Sequence, residues 1–102
     1  MKKITLYVGL NDKDSKTQKI TTVQAFKMLS NLCLMYTEGA TIYDARGIYK
    51  HNDGTTIAEN TLRIEIFDPV ENNIMPLIKT IKKALNQESI GIETTETITN
   101  FI

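Results

Sequence analysis

The spacing between apolar positions changes repeatedly along the chain, and each change predicts a boundary between structural elements. Residues 4–10 read ITLYVGL, a β-branched and aromatic run that predicts a strand. The polar stretch NDKDSKTQK follows without periodicity and predicts a mobile loop. Apolar positions then return every three or four residues, which predicts an amphipathic helix. The stripe expected to be buried consists of Val23, Ala25, Phe26, Met28, Leu29, Leu32, Cys33 and Tyr36.

Short polar motifs mark the expected ends of this first helix. Thr21 and Gln24 have the spacing of a capping box, in which the two side chains bond backbone N–H groups at the helix start. Gly39 follows the segment MYTE, where a left-handed glycine cap is common. We therefore predict a helix that begins after Thr21 and ends before Gly39.

The second helix has two possible starts in the segment DPVENNIMP. Asp68 could be the N-cap with Pro69 in the first position, or Asn73 could be the N-cap with Pro76 in the first turn. We favour Asn73, because the earlier start would place Pro76 in the helix interior at a cost of about 3 kcal/mol. The expected buried stripe is Ile74, Leu77, Ile78, Ile81 and Leu85.

The closing segment SIGIETTETITNFI alternates around a polar middle and predicts an edge strand.

The segment between the helices has a period of two and contains Asp53-Gly54, which is typical of a two-residue type I′ turn. Such a turn pairs residues whose numbers add to 107, so that Gly47 faces Asn60 and Tyr49 faces Ala58. The β2 residues expected under the helices are Thr41, Tyr43, Ala45, Gly47 and Tyr49. Those expected on the uncovered side are Ile42, Asp44, Arg46, Ile48 and Lys50. A shift by one residue should bury these charges, which favours this register.

The resulting order, strand-helix-strand-strand-helix-strand, predicts an α+β sandwich of the ferredoxin-like type. Two helices would cover one face of a four-stranded antiparallel sheet, and residues 1–102 would form a single domain. Because two helices cover only one face, the other face must meet water, a ligand or a partner.

Charge and cysteine content narrow the class of protein. Lys and Arg total 12 and Asp and Glu total 12, so no positive field favours general coating of nucleic acid. Cys33 is the single cysteine, which rules out an intrachain disulfide and favours a cytoplasmic location. The opening MKKITLYVGL is interpreted as a strand of the mature protein, and no apolar run is long enough to predict a membrane helix.

Familiar catalytic and cofactor motifs are missing from the sequence. Neither a Walker motif nor G-x-G-x-x-G is present, and His51 is the single histidine, so a histidine pair for zinc is impossible. We therefore expect no cofactor and no metal. His51 lies beside the turn, where a solvated histidine is commoner than a catalytic base.

The uncovered face and the far end of the hairpin are the expected functional surfaces. Isoleucines beside paired charges favour a homo-oligomer through this face, with a solvated face as the alternative. At the far end of the hairpin, where Gly47 is expected to face Asn60, the sequence predicts a pocket between subunits that binds a small anionic ligand. Its candidate residues are Arg46, Tyr49, Lys50, His51, Asn60 and Arg63. The alternative is that Tyr49 simply packs on Ala58 and Gly47.

The hairpin TIYDARGIYKHNDGTTIAEN resembles a family of small bacterial domains of unknown function. Its pattern is T-x-x-D-A-x-G-x-aromatic-basic, followed by Asp-Gly and then Glu. The matching positions are Thr41, Asp44, Ala45, Gly47, Tyr49, Lys50, Asp53, Gly54 and Glu59. The resemblance implies the ferredoxin-like fold and no catalytic residue.

The short chain, rich in Lys, Asn and Ile, is also similar in kind to proteins of phages and mobile elements, including counter-defence sponges that sequester a nucleotide signal. The leading hypothesis is therefore a non-enzymatic homo-oligomer that binds a small ligand. The alternatives are a small dimeric ferredoxin-like-barrel enzyme, with Tyr or His51 as acid-base groups, and a structural or protein-interaction module.

Overall fold

The computed structural model describes residues 1–50 and 53–102, and its architecture confirms the predicted ferredoxin-like sandwich. Four antiparallel strands form one sheet in the order β2-β3-β1-β4, with the two helices on one face. The elements are β1 Lys2–Gly9, α1 Thr22–Tyr36, β2 Thr41–Lys50, β3 Thr56–Phe67, α2 Glu71–Ala84 and β4 Gly91–Glu96. Within the described residues, neither helix is long and apolar enough to cross a membrane.

The core lies between the sheet and the two helices. Alternate residues of the two central strands point into it, because successive side chains of a strand point to opposite faces. Its members are Ile4, Leu6, Val8, Leu62, Ile64 and Ile66 from the strands and Ala25, Leu29, Cys33, Ile74, Leu77, Ile78 and Ile81 from the helices, with Leu10 just beyond β1. The predicted burial of Cys33 is confirmed, and burial raises the pKa of its thiol to about 11.

The start of α1 confirms the predicted capping box. Gln24 N donates to Thr21 Oγ1 at 3.1 Å, and Thr21 N donates to Gln24 Oε1 at 2.9 Å. The buried stripe is narrower than predicted, because Val23 and Phe26 are exposed. The predicted glycine cap is wrong: Thr37, with φ of −137°, is the C-cap. The backbone N–H and hydroxyl of Thr37 both donate to Cys33 O, so this carbonyl needs no left-handed residue.

Replacing Thr21 with alanine should lower the free energy of unfolding by about 0.5–2 kcal/mol, because Gln24 N then loses its acceptor at the helix start. Urea denaturation followed by circular dichroism measures this change. Val23→Ala, two positions away on an exposed side chain, is the matched control and should change the midpoint much less. Equal losses in both variants would contradict the capping role.

The predicted start of α2 at Asn73 is wrong. The helix begins at Glu71 after the N-cap Val70, so Pro76 lies inside it. Asn73 instead contributes to the fold through its side chain, whose Nδ2 donates to Tyr36 O at 3.1 Å. The apolar stripe that includes Ile74 is buried in the core, and we infer that this packing offsets the hydrogen bond lost at Pro76.

The predicted hairpin register is wrong by one residue. Thr41 pairs with Glu65 and Lys50 pairs with Thr56, so residue numbers add to 106 rather than 107. The predicted two-residue turn is not formed, because β2 ends at Lys50 and β3 begins only at Thr56; Gly54 has a φ of +89°. Asp53 Oδ1 accepts hydrogen bonds from the backbone N and hydroxyl of Thr55, which forms a different and longer connection.

This shift exchanges the two faces of β2. Tyr43 and Tyr49 lie on the side away from the helices, and Asp44 and Arg46 lie on the helix side. The expected penalty for burying these charges does not arise, because both side chains are exposed at the sheet edge. At the other edge, β4 ends at Glu96 and is shorter than the predicted strand.

Candidate functional site

The residues predicted to bind a ligand do not form a single cluster. Tyr49 and Arg63 lie on the sheet face away from the helices, which we call the open face. Arg46 and Lys50 lie on the opposite face of β2. Asn60 pairs with Arg46 rather than Gly47, and its Nδ2 donates to Gln18 Oε1 at 2.8 Å. His51 lies outside the described residues.

The open face contains a groove of about 510 Å³ at the end where β1 finishes. We call it the Gly9 groove, after the last residue of β1. Hairpin and loop residues form its walls, and the rings of two tyrosines face into it. Its lining includes Tyr7, Gly9, Lys13, Lys16, Tyr49 and Glu59.

The Glu59 carboxylate is the central polar group of the Gly9 groove. Tyr49 Oη donates to Glu59 Oε1 at 2.9 Å, and Asn11 N donates to Glu59 Oε2 at 3.0 Å. Partial burial, followed by the bond to Glu59, raises the pKa of Tyr49, so its phenol stays protonated and donates at neutral pH. Each carboxylate oxygen keeps acceptor capacity for a ligand.

Gly9 makes the position of Glu59 possible. A Cβ on Gly9 would lie 2.5 Å from Glu59 Oε1 and 2.7 Å from Oε2, too close for any other residue type unless the carboxylate moved. The glycine therefore lets the side chain of Glu59 lie flat across the end of β1. Close approach of this kind is a common reason for glycine in a strand.

The rim of the groove is the polar loop after β1, in which a buried carboxylate is the centre of a hydrogen-bond network. Asp12 is only 5% exposed, and its Oδ1 accepts hydrogen bonds from Asp14 N and Ser15 N. Asn86 Nδ2 donates to Asp12 Oδ2 at 2.8 Å, and Lys19 lies 3.4 Å from the same oxygen. The Ser15 backbone N–H and the Asn86 amide hold the pKa of Asp12 well below its usual range.

A second polar cluster lies on the open face around Glu65, which is 8% exposed. Its carboxylate accepts from Tyr43 Oη at 2.9 Å, Arg63 at 3.0 Å and Lys3 at 3.4 Å. The bond from Tyr43 is the main cause that lowers the pKa of Glu65, and it also raises the pKa of Tyr43. The guanidinium of Arg63 lies between the rings of Tyr7 and Tyr43, 5.8 and 5.6 Å from their centroids. In this cluster one carboxylate pairs with two cations, Lys3 and Arg63.

Sequence reasoning missed the groove. Tyr49 was among the predicted ligand-binding residues and lines the groove, but Glu59, Gly9 and Asn11 were not among them. The signal was present in LYVGL, because a glycine at the end of a buried strand indicates close approach by another group. Among the described residues, no group of three or more His, Cys, Asp or Glu side chains could hold a metal ion.

Solved structures with the same fold include a phage enzyme and CutA proteins. The chain is similar to a phage SAM lyase in complex with S-methyl-5'-thioadenosine, with a TM-score of 0.69 and 23% identity over 93% of this chain and 80% of that one. CutA from Synechococcus elongatus PCC7942 matches with a TM-score of 0.62 and 12% identity, covering 95% of this chain and 76% of that one. CutA1 from Oryza sativa matches with a TM-score of 0.61 and 15% identity, covering 99% and 84%.

These TM-scores show a shared fold. No curated protein matches the sequence. The model of a protein family described as "Protein of unknown function (DUF3574)" matches residues 3–101. This agrees with the resemblance seen in the hairpin to domains of unknown function, and the chain belongs to the DUF3574 family.

Proposed function

We propose that the protein is a homo-oligomer that binds a small nucleoside-type ligand in the Gly9 groove. The observation that carries this proposal is the Glu59 carboxylate, held over Gly9 between Tyr49 and Asn11 with acceptor capacity left over. The volume of about 510 Å³ lies in the range of small-molecule sites.

The groove offers the contacts that a nucleoside uses. A carboxylate accepts hydrogen bonds from the two ribose hydroxyls, as acidic residues do in dinucleotide sites. The rings of Tyr7 and Tyr49 are 40% and 43% exposed, so either can stack on a base. Lys13 and Lys16 at the rim supply positive charge for an anionic group. The phage SAM lyase that shares this fold holds S-methyl-5'-thioadenosine, which is a nucleoside of this class.

The one-sided arrangement of the helices supports the homo-oligomer in this proposal. The open face exposes aromatic side chains, including Tyr7, Tyr43 and Tyr49, that a second copy would cover. In this proposal the protein sequesters its ligand unchanged, as a phage counter-defence protein would.

One observation favours a second candidate function, an enzyme that acts on the bound nucleoside. The Tyr49 hydroxyl and the Glu59 carboxylate are joined at 2.9 Å and line the same groove, so they form a proton donor beside a base. Both candidate functions use the same class of ligand, which stays unchanged in the first and is converted in the second.

Titration calorimetry with S-methyl-5'-thioadenosine tests the binding proposal. Glu59→Gln should weaken binding by about tenfold to a hundredfold, because a charge-assisted hydrogen bond contributes roughly 1.5–3 kcal/mol. Glu96→Gln, an exposed position at the end of β4, is the matched control and should bind normally. Equal affinity in the wild type and Glu59→Gln would contradict the site.

The same samples distinguish the two functions. S-methyl-5'-thioadenosine and S-adenosylmethionine are each incubated with the protein and then analysed by mass spectrometry. If the protein sequesters its ligand, the mass of each compound should be unchanged. Conversion of S-adenosylmethionine by the wild type, lost in both Glu59→Gln and Tyr49→Phe, would favour the enzyme instead.

A further inference from the structure

Strand β2 leaves one edge of the sheet without a partner strand. The order β2-β3-β1-β4 pairs β2 on its inner side with β3, and no strand in the described chain lies on its outer side. Unpaired backbone groups on an exposed edge of this length favour pairing with another strand. At 10 residues, Thr41–Lys50 is long enough for a specific pairing.

On the helix side of β2, two charged side chains lie between two isoleucines, and we call these four residues the charged β2 row. Ile42, Asp44, Arg46 and Ile48 follow each other on this side. Asp44 and Arg46 are exposed, and neither forms an ion pair in the part of the chain that the structure describes. Ile48 is 76% exposed, and its neighbour on the same side, Ile42, is only partly buried.

This row is complementary to itself when reversed. If two β2 strands pair antiparallel around Ala45, Asp44 faces Arg46 of the second copy and Ile42 faces Ile48. A shift by two positions in either direction would set Asp44 against Asp44 or Arg46 against Arg46. Odd shifts would set residues from opposite faces against each other. One register therefore matches both the charges and the apolar residues.

The surface beside β2 has room for the exposed isoleucine. A cavity of about 530 Å³ lies between the start of α1 and β2, and its lining includes Val23, Phe26 and Ile42. Val23 and Phe26 are 65% and 45% exposed, so the cavity has an apolar wall open to solvent. In the paired arrangement, Ile48 of the second copy stands opposite Ile42 and enters this cavity.

The open-face side of β2 fits the same arrangement. Tyr43 faces Gly47 of the second copy, so a large residue stands opposite one without a side chain. At Gly47, a Cβ would already lie 3.3 Å from Thr61 Oγ1, and glycine leaves space above this position. Ala45 faces Ala45 at the centre, where two small side chains let the backbones approach.

From these features we propose that two copies of the chain pair through their β2 edges, antiparallel around Ala45, to form one continuous eight-stranded sheet. The interface consists of the β2 backbone, two Asp44 to Arg46 pairs, and two Ile48 side chains in the cavities beside α1. This assignment goes beyond ligand binding, because it needs neither the Gly9 groove nor a ligand.

A charge exchange tests the register. Arg46→Asp should raise the dissociation constant of the dimer about tenfold, because it replaces two attractive cross-strand pairs with repulsive ones. The double variant Asp44→Arg with Arg46→Asp restores both pairs in reversed order and should return the constant to near the wild-type value. Sedimentation equilibrium measures each constant, and circular dichroism checks that each variant is folded. A double variant no tighter than the single one would overturn the proposal.

A disulfide tests the centre of the interface. Directly opposite residues of antiparallel strands have Cα atoms about 4.5–5.5 Å apart, within the range of a disulfide. Ala45→Cys should therefore form a covalent dimer under mild oxidation, whereas Thr95→Cys on β4, at the other sheet edge, should not. Native mass spectrometry should show an even number of copies. A folded Ala45→Cys variant that does not crosslink, or an assembly of three copies, would overturn the β2 pairing.

Discussion

Replacing Gly9 with alanine is expected to weaken nucleoside binding by about tenfold to a hundredfold while the fold remains intact. The new Cβ would lie 2.5 Å from Glu59 Oε1, so the carboxylate must move. Because the colliding atoms are the end of a flexible side chain, the backbone of β1 and β3 need not shift. The displaced carboxylate would lose the hydrogen bonds from Tyr49 and Asn11 that now fix it. Titration calorimetry with S-methyl-5'-thioadenosine measures the loss.

The matched control is Gly39→Ala. A Cβ on Gly39 meets no atom within 4 Å, and its φ is not in the left-handed region, so alanine is accommodated there. Thermal unfolding should show both variants folded, with Gly9→Ala destabilised by no more than about 1–2 kcal/mol for the two lost bonds. If Gly9→Ala binds as tightly as Gly39→Ala, the carboxylate over Gly9 is not the binding group.

The overall fold was predictable because its signals are local and repeated. The change of apolar spacing from strand to helix defines each element, and the order of elements leaves the ferredoxin-like sandwich as the simplest arrangement. Thr21 and Gln24 were recognisable for the same reason, since a capping box involves residues only three positions apart.

The errors arose where tertiary packing or turn conformation outweighs a local preference. Pro76 disfavours a helix, but burial of the stripe around it keeps the helix continuous from Glu71. The predicted register depended on the assumption of a two-residue turn at Asp53-Gly54, and the observed shift of one residue exchanges the faces of all of β2. Side-chain bonds from Tyr43 to Glu65 and from Tyr49 to Glu59 then stabilise the observed register.

Gly9 was a signal of close approach, but the group that approaches it was not predictable, because the residues of the groove are distant in sequence. Gly9 ends β1, Glu59 lies in β3 and Tyr49 lies in β2, and only the correct register places all three on one face. The same register moves Arg46 and Lys50 away from Tyr49. The sequence analysis placed residues of two different surfaces in one predicted site. In the observed register the Gly9 groove lies on the open face and the charged β2 row lies on the helix side.

Acid should destabilise the rim of the groove through Asp12, which we expect to be the largest pH effect in the molecule. The hydrogen bonds of the Asp12 carboxylate hold its pKa below the ordinary value of 3.8, so the folded state favours the ionised form. A depressed carboxyl pKa contributes stability that is present above the unfolded pKa and is lost as pH falls. The wild type should therefore keep its stability down to about pH 4 and lose it progressively below. Urea midpoints measured at several pH values show the slope.

Asp12→Asn separates this residue from other carboxylates. The amide can still accept from Asp14 N and Ser15 N, but it cannot titrate, and its NH₂ group faces Asn86 or Lys19 in place of a carboxylate oxygen. The variant should be less stable at pH 7 and lose less stability between about pH 4 and pH 2. Glu65→Gln is the comparison, because the pKa of Glu65 is also lowered, on the open face away from this loop. If Asp12→Asn keeps the full acid slope and Glu65→Gln removes it, the Glu65 cluster rather than the loop controls acid unfolding. If titration of Asp12 causes the loss of stability in acid, Asp12→Asn should also bind nucleoside more weakly. The reason is that the loop organised by Asp12 positions Asn11 N against Glu59.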